Sequence, residues 1–182
     1  MKAKQVKGLD PQAPLVDNAG RIIRTRIGEL RSFAPSALEG DADDQHDMRI
    51  AAKRLRYVLE ITAPCFGAPA DRARQRARDL QQVLGELHDC DVMLPRVDEH
   101  VADLRDRDSE ALRELNGKAP DLADALISKA PNRTAYRGLE LLAVHLQARR
   151  AVLFDRFVEL WGEFERERTW KKLERAIERK LA

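Results

Sequence analysis

The stretch His46-Asp-Met-Arg49-Ile-Ala-Ala-Lys53-Arg54-Leu-Arg56-Tyr57-Val-Leu-Glu60 decides how this chain is read. At about 100° per residue on a helical wheel, Met48, Ala51, Ala52, Leu55, Val58, Leu59 and Thr62 gather on one side. His46, Arg49, Lys53 and Arg56 fall on the opposite side, with Tyr57 beside them and Arg54 off to the flank. The split predicts an amphipathic helix with one apolar stripe and one row of cations. Taken alone it is ordinary, because every such helix has a polar face and its arginines are usually just solvated.

The neighbouring helices repeat the design, which makes it informative. Upstream, Ile23, Ile27, Leu30 and Phe33 form an apolar side, with Arg21, Arg24 and Arg31 opposite and Gly28 leaving a gap between them. Downstream, Ala73, Ala77, Leu80, Val83, Leu84 and Leu87 make a core stripe, with Arg74, Arg78, Gln81, Gly85 and His88 across from it. A passive surface interleaves acids with bases as i,i+4 pairs, as Glu163 to Arg168 does here. The three rows are instead strongly basic. Turned toward one groove, they would repel each other unless solvated or occupied by anions. A phosphate chain suits such a groove, because guanidinium forks bind its oxygens through charge-assisted hydrogen bonds. Gly28 and Gly85 would let the chain approach the helix backbone.

Composition agrees with long helices. Of 182 residues, 43% are hydrophobic, 35% charged and only 5% aromatic, and the apolar residues recur in register, which argues against disorder. The net charge of +2 means that a polyanion would be met by local charge, not bulk charge. Two widely spaced cysteines, Cys65 and Cys90, fit free thiols in a reducing compartment. No stretch reaches the roughly 18 to 20 apolar residues of a membrane span, and no apolar signal core follows the basic start. The expectation is a cytoplasmic protein, bacterial in style.

Along the chain, residues 1–12 read as a flexible lead-in and 13–182 as a single helical domain. Helices are expected over about 14–38, 43–63, 70–94, 96–115, 120–129 and 134–160, with a last segment after a bend at Gly162. Pro64, Pro95, Pro120 and Pro131 supply most of these breaks. The fold class is all-α: a bundle of about six to seven helices, the long ones antiparallel.

The 46–60 stretch resembles the signature of the conserved histidine α-helical domain, CHAD. That signature has a His, an Arg three on, two basic residues seven and eight on, and another Arg ten on. Leu84-Gly85-Glu-Leu-His88-Asp89-Cys-Asp91-Val92 is similar to the family's Leu-Gly-x-x-Arg/Asn-Asp-x-Asp-Val stretch. Further along, Tyr136, His145, Arg149, Arg150 and Trp161 are compatible with it. The resemblance implies a helical bundle, CHAD-like, that binds inorganic polyphosphate in a basic channel, as a binding module linked to polyphosphate granules. Carried over, His46, Arg49, Lys53, Arg54 and Arg56 are the leading ligands. By facing direction Arg74, Arg78 and His88 follow, then Arg21, Arg24, His145 and Arg149. No catalytic residue, metal or cofactor is expected. One departure stands out: members of the family commonly carry the His-x-x-Arg motif twice, and here it occurs once, since Ala148 stands three after His145. The missing wall would then come from later helices or a homodimer.

Two other readings compete. His46-Asp47 and His88-Asp89 resemble the pairs of HD-type metal phosphohydrolases, whose imidazoles and carboxylates activate water on a metal. A row of cations around His46 opposes a divalent metal, and the wheel turns Asp47 away. Nucleic-acid backbone would be drawn to the same groove by counterion release. No base-reading helix or stacking aromatics accompany the rows, so such binding would be non-specific.

Overall fold

A computed structural model describes residues 2–181. Met1 and Ala182, the outermost residues of the expected lead-in and helical domain, lie outside the described residues. The fold is all-α, with no strand among the described residues. Its elements are α1 (Leu15–Ser32), α2 (Ala34–Leu38), α3 (Ala42–Phe66), α4 (Ala68–Asn116), a short 3-10 helix (Asp124–Lys129), α5 (Arg133–Glu167) and α6 (Thr169–Leu181).

Several boundaries differ from the expected ones, each for a local reason. The first expected helix is two helices. Pro35 has no N–H to return to Arg31, so the chain resets at Phe33, whose carbonyl accepts from Ala37 at 3.0 Å. Pro64 and Pro95 do not end their helices. Pro64 sits in the last turn of α3, where one lost bond matters little, and α3 stops only at Gly67, whose φ of +65° an L side chain rarely adopts. Pro95 is crossed by α4 between the buried Cys90 and Val97, which hold the turns on either side of it. Gly162 stays helical; the break comes at Arg168, at φ +54°. The expected helix over 120–129 is only the 3-10 segment. Asp41 caps the start of α3, accepting from the Asp44 amide at 2.7 Å, with Asp43 and Asp44 in the first turn.

The chain divides into two compact units, one running to His88 and resuming at Val152, the other spanning Asp89–Ala151. In the first, α3 packs on α1, α2 and α6, and α6 also covers α1. Ile23, Ile27, Leu30, Met48, Leu55, Leu59, Leu80, Leu84, Leu87, Phe157, Phe164 and Leu173 are its largest fully buried side chains. Nine of these twelve lie on the stripes that the wheel picks out; Phe157, Phe164 and Leu173 come from α5 and α6. Gly20 lets α1 and α6 close: a Cβ there would stand 2.8 Å from Ile177 Cγ2. Gln45 ties α3 to α2, its Nε2 donating to the Ala37 carbonyl at 3.0 Å.

The second unit pairs the later part of α4 with the start of α5 around Val97, Val101, Leu104 and Leu146. Asp108 accepts from the Asn132 amide at 3.0 Å, the Asn132 side chain at 2.8 Å and the Tyr136 hydroxyl. Burial and that carboxylate together push the Tyr136 hydroxyl up to about 12.

One buried carboxylate organises the α1–α3 contact. Glu29 receives Arg26 from its own helix, Arg54 from α3 at 2.9 Å, and the Lys4 amide at 3.1 Å. Burial alone would raise the Glu29 carboxyl. The hydrogen bonds from Arg26 and Lys4, with the charges of Arg26 and Arg54, outweigh it and hold the group below its ordinary 4.5. Its contribution is therefore present above pH 4.5 and lost as pH falls through the lower folded value. Glu29→Ala leaves two guanidiniums facing apolar surface. Because both stay partly hydrated, the expected cost is about 2 to 4 kcal/mol, read as a lowered denaturation midpoint. Equal stability of wild type and variant at pH 7 would remove Glu29 from this role.

Candidate functional site

The His46–Arg49 end of the cationic face of α3 lies against α4, with the two helices antiparallel there, while Lys53 is exposed. His46 Nδ1 stands 3.3 Å from His88 Nδ1, with ring centroids 4.5 Å apart. One turn further along, the Arg49 side chain lies over Gly85: a Cβ there would meet Arg49 Cδ at 4.0 Å. Continuing that register brings Lys53 level with Gln81 and Arg56 level with Arg78. Gly85 thus opens the wall of α4 where the arginine stem crosses it.

These groups are poorly satisfied from within. The Nε atoms of Arg49 and Arg56 and the Gln81 Oε1 are enclosed without a hydrogen-bond partner. Arg56 Nε lies 3.3 Å from Glu60 Oε1, near enough for Coulomb attraction but not aligned for a hydrogen bond. Tyr57 offers its ring to both neighbours, with the Arg56 guanidinium carbon 4.8 Å and Lys53 Nζ 5.8 Å from its centroid. An enclosed donor left unmet costs roughly 1 to 3 kcal/mol, so such groups are unusual unless something external meets them.

The histidine pair adds a second electrostatic constraint. At that separation one N–H can point at the other ring's lone pair, but protons on both nitrogens repel. Burial, then the charges of His88 and Arg49, hold the His46 imidazole below its ordinary 6.5, against an opposing push from Asp47. Among the described residues no group of three His, Cys, Asp or Glu side chains converges around the two imidazoles.

The other expected site residues are distributed differently. Arg54 leaves the row to engage Glu29. Arg74 stands at the exposed start of α4 beside Asp71, at 3.3 Å. Arg78 is exposed on the same face as Gly85. Arg21 and Arg24 do not join His46 and Arg49; they border a separate groove with Lys4 and Lys7. His145 and Arg149 are exposed on α5 in the second unit, where the adjacent Arg150 pairs with Asp91. Trp161 is a buried core residue. Lys4 and Lys7 escape sequence reasoning, since the segment before α1 has no helical period to assign them a face. Glu29 escapes too, because its burial depends on Arg54 arriving from another helix.

The CHAD domain model matches residues 21–182, which includes α3, all of α4 and both histidines. No curated protein and no solved structure matches the chain. With nearly the whole sequence inside that match, the chain belongs to the CHAD domain family.

Proposed function

We propose that this chain is a binding module for inorganic polyphosphate and that the α3–α4 wall holds the phosphate chain. The carrying observation is the enclosed, unpartnered Nε of Arg49 over Gly85, one turn from two histidines in contact. Donors in that condition match a ligand that brings acceptors only. A condensed phosphate presents acidic oxygens at short, regular spacing, and arginine meets them in forked geometry. Arg49, Lys53, Arg56 and Arg78 supply fixed charge in this reading. His46 and His88 supply N–H donors, and an adjacent phosphate favours protonation of His46. Arg54 has its charge committed to Glu29 and acts by holding α3 in place. A location in the cytoplasm, beside polyphosphate granules, belongs to the same proposal. No helix among the described residues is long and apolar enough to cross a membrane.

The double variant Arg49→Ala, Lys53→Ala tests the wall. Each charged hydrogen bond contributes on the order of 1.5 to 3 kcal/mol, so a drop of at least about 100-fold in polyphosphate affinity is expected, with helicity unchanged by circular dichroism. Unchanged affinity would refute the assignment. Gly85→Ala separates stability from binding. Alanine gains roughly 0.8 to 1 kcal/mol over glycine inside a helix, and the space beside Arg49 admits a methyl group. The variant is expected to melt higher and bind polyphosphate more weakly; tighter binding would contradict the proposed approach of the chain.

The pH dependence has a definite sign. In the free protein His46 titrates below 6.5, so the unfolded chain binds more protons and stability falls as pH drops through that region. Bound phosphate reverses the preference. Affinity measured by calorimetry is therefore expected to rise as pH falls from about 7.5 to 5.5, with proton uptake on binding. His46→Gln with His88→Gln should flatten this slope; a slope that persists in the double variant would show that other groups carry it.

A further inference from the structure

The basic row of α1 belongs to a different surface from the α3–α4 wall. Glu29, which accepts Arg54, marks the side of α1 that meets α3. Arg21, Arg24 and Gly28 lie roughly a quarter of a turn or more from it on the wheel. The segment ahead of α1 runs beside them, held at two points. The Lys4 amide donates to Glu29 at 3.1 Å, and Asp10 and Asn18 exchange hydrogen bonds at 3.1 and 2.7 Å. Between segment and helix lies a groove of about 480 Å3, bordered by Lys4, Lys7, Arg21 and Arg24, with Thr25 and Gly28 on the helix side.

Three features set this groove apart from ordinary charged surface. No Asp or Glu lines it. None of its four cationic side chains has an ion-pair or hydrogen-bond partner among the described residues, whereas Arg26, Arg31, Arg74 and Arg76 all have carboxylates in reach. The backbone is also shaped to bring one of the cations in. Gly8 turns at φ +72°, and a Cβ there would sit 2.9 Å from Arg21 Nη1. Four like charges are thus gathered by backbone clamps, not by burial of apolar surface. Their repulsion is relieved only by solvent or an anion. Gly28 has nothing within 4 Å of where a Cβ would stand, so an oxyanion can reach the bare helix surface.

We infer that this groove is a second phosphate site, separate from the α3–α4 wall, that takes a short condensed phosphate or the end of a longer chain. It rests on the polyphosphate reading for the class of ligand and not for its geometry. Lys4 and Lys7, half of its charge, lie ahead of the residues that match the family.

Tripolyphosphate titrated into the full 15N-labelled chain provides the test. The amides of Gly8, Thr25 and Gly28 are expected to shift and saturate. The same shifts should survive in Arg49→Ala, Lys53→Ala, and weaken at least about ten-fold in apparent affinity in Lys4→Ala, Lys7→Ala, which alters exposed side chains only. Shifts that are absent from the wild type, or unaltered by losing both lysines, overturn the proposal. Shifts that vanish in Arg49→Ala, Lys53→Ala make the two surfaces one site and overturn it as well. Binding of long chains is read in parallel, so failure of the α3–α4 assignment is seen independently of this groove.

Discussion

Like charge held together against its own repulsion is the constraint on which the rest of this structure depends. The start of the row, His46 and Arg49, is set against α4 with a second histidine and a glycine facing it, where a stable passive interface would place carboxylates. Elsewhere on the molecule arginines find acids: Arg76 reaches Glu167 at 2.6 Å, and Arg107 reaches Asp103 at 2.7 Å. The difference is one of placement and not of supply, since acids and bases nearly balance across the chain. Apart from the Arg56–Glu60 contact the row gains no carboxylate ion-pair partner among the described residues, and clustered like charge of this kind costs folding free energy that an anionic ligand would offset.

The scaffold makes the row rigid enough to matter. α3 is fixed along its apolar stripe by α1, α2 and α6, and laterally by the Arg54–Glu29 bond. Arg54 and Arg56 are two residues apart and serve opposite ends: one holds the helix in place, the other faces the groove. A helical residue's function here follows from its angle around the axis more than from its charge. Preorganisation of this kind would limit the entropy lost in the proposed binding of a flexible polyanion, because the protein's side of the contact is already ordered.

Much of this was legible in the sequence. The apolar stripes of α1, α3 and α4 predict the buried residues closely, because burial on an amphipathic helix follows a 3.6-residue period that one sequence displays. The His46 to Arg56 row was legible for the same reason, and Gly85 and His88 fall on the face of α4 that meets it. Three things were not. Pro64 and Pro95 read as helix ends, but packing on both sides carries the helix across a missing bond. The three basic rows read as one groove, yet which flank of α3 receives α1 and which receives α4 is a tertiary choice with no local signal. It places Arg21 and Arg24 on another surface. The segment before α1 has no periodicity at all, and its order comes from single hydrogen bonds to Glu29 and Asn18.

The central claim is that cations of α3 and α4 meet phosphate directly. A crystal structure of the chain grown with polyphosphate tests it most directly. The account predicts a phosphate chain lying along His46, Arg49, Lys53 and His88, with an oxygen within hydrogen-bonding distance of Arg49 Nε. A bound chain that follows another surface, with Arg49 Nε still unpartnered or turned to a carboxylate, would contradict it.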